Sequence, residues 1–204
     1  MIGQIEDAMI ALLQAGVNAT PGLGYKLAAP VSSYGGEMDD LTAEQIRAFP
    51  AVWVTYAGGG EPKQANSSGA KWLTPATFVV IVAARNVRGE RATRRGLTVA
   101  GQLVEVGAYQ MLEDMSLMLL NNDLASSGVK INPFRPGRIR TLYNTKLGGQ
   151  AVAVFSREFR TAYVETQPRQ YFDPAGADFL KVGIDYYLRP DDGVVDGQGV
   201  VTLP

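Results

Sequence analysis

From Ala151 to Tyr163 the chain alternates with a period of two. Ala151, Ala153, Phe155, Phe159 and Tyr163 form an apolar set broken by Arg157 and Thr161, while Ser156, Glu158 and Arg160 fall on the other set. Such alternation predicts a half-buried strand. Upstream, Arg138 to Tyr143 reads as a shorter strand with Ile139 and Tyr143 on one side. Pro136-Gly137 marks its start, and Asn144, Gly148 and Gly149 supply residues suited to a reversal. The two runs predict a hairpin.

A different period governs the N-terminus, where Ile2, Ile5, Met9, Leu12 and Leu13 recur at helical spacing. This predicts an amphipathic helix that packs on the sheet, with Gly16 as its terminator. Between Asn18 and Gly36 the chain is rich in Gly and Pro and reads as irregular, with one short strand near Tyr25 to Ala28. A short helix is expected over Asp39 to Ala48, capped by Asp40 or Thr42. Ala51 to Ala57 reads as a strand. Gly58 to Lys71 reads as a long, mobile hairpin loop; its glycines lack the GxxxxGK[ST] spacing of a phosphate loop. Trp72 to Ala84 holds an unbroken apolar run from Phe78 to Ala83, which suits a strand buried on both faces, with Pro75 near its start.

Gly96 to Asn121 carries Leu97, Ala100, Val104, Ala108, Met111, Met115 and Leu119 in three- and four-residue steps. It reads as the main helical segment, with a break into two helices at Gly107 and with its methionines serving the core. Phe155, Ile81 and Leu103 are expected between sheet and helix. After Thr166 periodicity is weak and Pro and Gly are frequent, so residues 167–204 read as a C-terminal extension to a domain over residues 1–166. Its five aromatics, Tyr171 to Tyr187, indicate that parts of it dock on the same subunit or a neighbour. The expected class is α+β: a largely antiparallel sheet with helices packed on one face, plus an irregular C-terminal extension.

Composition narrows the chemistry. The chain has no Cys and no His, which removes disulfides, thiolate zinc sites, Cys nucleophiles and the usual proton-transfer residue near neutrality. The carboxylate pairs Asp39-Asp40, Glu113-Asp114 and Asp191-Asp192 are adjacent in sequence. Neighbours on a helix diverge by about 100°, and turn residues are solvated, so none makes an acid/base pair. No catalytic fingerprint, cofactor motif or metal-ligand pattern is present, and the expectation is a non-enzymatic protein. The net charge of −1 gives no global footprint for nucleic acid or membrane. The opening MIGQIEDA lacks the basic flank of a signal peptide, and no apolar run approaches the roughly 20 residues of a membrane span, so a soluble chain is expected.

Charge is concentrated in one place. Arg85, Arg88, Arg91, Arg94 and Arg95, five of the 19 Lys and Arg residues, fall within eleven positions accompanied only by Glu90. No aromatic is interleaved, as single-stranded nucleic-acid binders require. A core cannot hold several unpaired guanidinium groups, so this segment is expected to project as a loop. Solvation, contact with DNA and pairing with a protein partner are its three possible fates.

The order of RNVRGERATRRG, a helical segment ending in a Leu/Met-rich run, FRPGRIRTLYN and FSREFRTAYVE, preceded by MIGQIEDAMIALL, resembles the Mu-like phage family of small tail-completion proteins. It covers roughly the first four fifths of the chain. The resemblance implies an α+β subunit of the virion, a tail terminator assembled in the host cytoplasm. Its ring, a hexamer, would cap the last ring of tail-tube protein, stop tube growth and meet the head connector. DNA would pass through without specific binding. A head-side neck protein at the same joint is the alternative. In either setting the five arginines are expected at a protein interface.

Overall fold

In this computed structural model the described residues are 1–19, 22–37, 48–67, 70–100, 102–147, 149–166, 181–186 and 197–202. The chain divides into two compact units, Met1–Glu165 and Thr166–Pro204.

The first unit is α+β. Helix α1 (Ile2–Asn18) is followed by β1 (Ser32–Ser33), β2 (Ala51–Tyr56), β3 (Lys63–Gln64) and the long β4 (Lys71–Asn86). Helix α2 (Glu90–Arg95), a small hairpin of β5 (Leu97–Val99) and β6 (Gln102–Glu105), and helix α3 (Ala108–Leu119) come next. A 3-10 turn (Ala125–Ser127) then leads to β7 (Arg135–Leu147) and β8 (Gln150–Thr166). The main sheet has the order β1-β2-β4-β8-β7, with β3 paired to β4. The pairs β2/β4, β3/β4 and β7/β8 are antiparallel, and β1/β2 is parallel.

Alternation along β4 sorts its residues between two apolar clusters. Phe78, Val80, Val82 and Ala84 join Val52, Val54, Ala153, Phe155 and Phe159 beneath α1 and α3, which contribute Ile5, Met9 and Leu13, and Met111, Met115 and Leu119. On the opposite face Ile81 and Ala83 meet Phe49, Ala51, Trp53, Val152 and Val154. Trp53 there stands edge-on to both Tyr34 and Phe49. Ile81 therefore lies on the face away from the helices, contrary to expectation, because its parity is that of Ala83 rather than Val80. Leu103 packs against the helix-side cluster only partly buried, from a strand.

Several expected boundaries shift for local reasons. Gly16 does not end α1: the helix runs through it to Asn18, and a Cβ there would lie 2.4 Å from the Met118 sulfur, so this glycine admits α3. The short strand is at Ser32–Ser33 rather than Tyr25 to Ala28, where the Ala28 N–H donates to the Pro50 carbonyl and the Tyr25 hydroxyl donates to Asp114 on α3 at 3.1 Å. Burial, reinforced by the Asp114 charge, pushes the Tyr25 hydroxyl pKa well above its usual value. Pro75 is the fifth residue of β4, between the stretch paired with β3 and the stretch paired with β2, where a missing N–H interrupts neither ladder. The helix expected over Asp39 to Ala48 lies, except for Ala48, outside the described residues.

The segment from Leu97 to Glu105 is not helical. Its β-branched Thr98, Val99 and Val104 form the β5/β6 hairpin, and helix begins only at Ala108, with Gly107 as N-cap.

Strand β8 keeps the expected parity, but Val152, Val154 and Ser156 bury its other face as well, and the two interruptions of its apolar set find partners, with Arg157 Nε alone left unbonded. Arg157 donates from a terminal nitrogen to Ser116 on α3 at 2.7 Å and lies 5.7 Å from the Phe159 ring centroid. The Thr161 hydroxyl donates to the Asn132 carbonyl. Strand β7 is longer than expected and twice bulged, between Pro136 and Ile139 and between Thr141 and Tyr143. The second bulge leaves Leu142 unpaired, so Ile139 shares a face with Arg157 and Tyr143 shares the opposite face with Val154. The two were expected on one side. Leu147 pairs with Gln150 and Gly149 has φ +79°, whereas Asn144 belongs to the strand rather than the turn.

In the second unit, β9 (Lys181–Tyr186) and β10 (Gly197–Thr202) form an antiparallel pair over six registers. Among the described residues, no helix is long and apolar enough to cross a membrane.

Candidate protein-interaction surface

The arginine-rich segment is a built platform rather than a loop. Arg85 and Asn86 complete β4, a turn follows, and residues 90–95 coil into α2. Buried Asn86 holds the turn: its Oδ1 accepts the Arg88 N–H at 2.7 Å, and its Nδ2 donates to Glu105 on β6. Thr93 is the anchor of α2, 1% exposed, with its hydroxyl 3.0 Å from the Gly89 carbonyl and 3.4 Å from that of Ala151 on β8. With Thr93 turned inward, Arg91 and Arg95 are exposed and Arg94 is half-buried.

Two glycines close the far side. Gly96 ends α2 with φ +80°, and Gly107 starts α3; a Cβ on Gly107 would lie 2.1 Å from the Gly96 nitrogen and 2.4 Å from the Arg95 carbonyl carbon. Backbone touches backbone here, a distance only glycine permits.

The five arginines divide. Arg85 is half-buried, its Nε donating to the Phe49 carbonyl at 3.2 Å and a terminal nitrogen to Gln150 Oε1 at 3.0 Å, so it ties β4 to the start of β8. Among the described residues, Arg88, Arg91, Arg94 and Arg95 make no ion pair; the salt bridges there join Arg140 and Arg160 to Glu158, each at 3.4 Å. Arg94 and Arg95 lie in the last turn of α2 and Glu90 in its first, the arrangement that a helix dipole favours.

The aromatic absent from this stretch of sequence comes from α3. Tyr109 lines a cavity of about 220 Å³ with Arg91, Arg94 and Arg95, and its ring centroid lies 5.1 Å from that of Phe155. On the other flank of α2 a cleft of about 590 Å³ is lined by Arg88, Glu90, Arg91, Arg95, Leu97 and Thr98. Chemically, this is a rigid cationic surface beside an exposed tyrosine, suited to carboxylates presented by a partner. Of the neighbouring carboxylates Glu113 and Asp114, the first is exposed and the second accepts the bond from Tyr25.

The family profile described as Bacteriophage Mu, Gp37 matches residues 1–164. No curated protein gives a significant match. The matched region takes in the whole first unit but its last residue, with the arginine platform and all of the main sheet except the last two residues of β8 within it. By that match, the chain belongs to the bacteriophage Mu Gp37 family.

Proposed function

We propose that the protein is a structural tail-completion protein of a Mu-like phage. Its copies form a ring, a hexamer, on the head-proximal end of the tail tube, stop tube growth and meet the head connector. In this reading Arg88, Arg91 and Arg94 face a protein partner at that joint.

The observation that carries the interface role is the set of unpaired arginines held on a fixed backbone beside Tyr109. Membership of a Mu phage family supplies the setting. Exposed charge raised on a rigid base offers a core nothing, whereas arginine forms two-pronged bonds to carboxylates that set register and partner choice. Packing the same arginines around a DNA channel would bind phosphates strongly and retard passage.

Light scattering and electron microscopy of the purified protein, alone and with tail-tube protein, test the reading. Rings are expected. A chain that stays monomeric at high concentration in both conditions overturns it. Changing Arg88, Arg91 and Arg94 together to Glu is expected to leave circular dichroism unchanged and to abolish ring formation or tail joining. Infectious particles built from that variant would remove the arginines from the joint.

A further inference from the structure

Strand β7 is the outer strand of the main sheet, and its outward edge has no strand partner among the described residues. It runs for 13 residues, and Ile139, Leu142 and Tyr143 are 55%, 42% and 40% exposed. A long edge with apolar side chains and unused backbone donors and acceptors is a template for another strand. The opposite edge, β1, has two residues and offers little.

The second unit has the converse deficiency. Among the described residues, β9 and β10 pair only with each other, and a two-stranded sheet is marginal in water without further strands or a covering layer. Lengths agree: beyond the bulge at Leu142, β7 runs unbroken from Tyr143 to Leu147 against β8, and β9 and β10 have six residues each. Charges agree as well. Strand β7 carries Arg135, Arg138, Arg140 and Lys146 and no acid. Residues 166–204 carry Asp173, Asp178, Asp185, Asp191, Asp192 and Asp196 against Arg169, Lys181 and Arg189; Lys181 and Asp185 balance on β9 and β10 has no charge, so the excess belongs to the residues that flank the strands.

We infer that the β7 edge accepts the β9–β10 hairpin of a second copy as added strands, a β-augmentation between subunits. Pairing of β7 with the β7 of another copy is disfavoured because it sets like charges opposite one another. A copy that donates a hairpin and offers an edge makes a head-to-tail contact, the kind that closes into a ring. The inference thus rests on the ring reading above and names which surfaces join the copies.

The absence of cysteine makes the test clean. One chain carries Asn144→Cys on β7; a second carries Asp185→Cys or Gln198→Cys, which are register partners in the hairpin. Mixed in equal amounts and treated with a short bis-maleimide, the pair is expected to give a crosslinked dimer joining one chain of each kind, with one hairpin position or with both. Changing Arg135, Arg138 and Arg140 to Glu in the β7 chain is expected to lower its yield by about tenfold. Three results overturn the inference: rings that form without this crosslink, a dimer from the Asn144→Cys chain alone, and a product of monomer mass from a chain carrying both cysteines. Monomers throughout would overturn the ring reading as well, so the two failures are distinct.

Discussion

The two arms of the β7/β8 hairpin differ more than their sequences suggest. In β8, all six residues from Ala151 to Ser156 are buried, with Ala153 and Phe155 in the helix-side cluster and Val152 and Val154 in the smaller one. In β7, directly bonded to it, every residue from Arg138 to Asn144 is exposed. Position in the sheet adds to composition here: β8 lies between two strands and under α3, and among the described residues β7 has a strand neighbour on one side only. An apolar residue in a strand therefore reports burial only when the strand is interior. Ile139, Leu142 and Tyr143 of β7 are surface residues.

Mutations can break or sharpen this contrast, and the largest effect is expected in β8. Phe155→Ala should cost about 3 to 5 kcal/mol in denaturant unfolding, since Phe155 sits between the sheet and Tyr109. A loss below about 1 kcal/mol would show that β8 is no more a core strand than β7. Next comes Gly137→Ala, at the one tight point of the outer arm. A Cβ there would lie 2.5 Å from the Glu158 Cβ and 3.0 Å from its carbonyl, so about 1 to 3 kcal/mol is expected, with a local shift of the bulge. Glu158→Gln should cost no more than about 1 kcal/mol, and less in high salt, because Arg140 and Arg160 are 59% and 56% exposed. Smallest of all, Ile139→Ala should fall within about 0.5 kcal/mol of the parent in the isolated subunit. An Ile139 effect as large as that of Phe155 would erase the contrast.

What could be read from the sequence follows the same division. The interior strands β4 and β8 were legible because burial on both faces, or clean alternation, leaves an unmistakable pattern. The phase of β7 was not, since the bulge at Leu142 depends on how β7 seats against β8 rather than on any residue type. The β5/β6 hairpin carries a helical pattern in sequence because Leu97, Ala100 and Val104 fall at helical steps. The β-branched Thr98, Val99 and Val104 pair as strands instead, and Gly96 meets Gly107 at the base of the hairpin. For the arginines, local density was visible in the sequence. That Arg85 turns to Phe49 and Gln150, and that Tyr109 joins the others, depends on segments 14 to 65 positions away, as their sequence separation from Arg85 and Arg95 shows.

The contact between Gly96 and Gly107 has a thermodynamic consequence for recognition. Since the Gly96–Gly107 contact and the Thr93 hydrogen bonds tie the backbone of α2 to the rest of the unit, association need not first organise that segment. The remaining entropic loss is that of a few side-chain rotamers, about 0.5 to 1.5 kcal/mol for each one immobilised. A surface prepared in this way favours association in one orientation, as the joint proposed above would require.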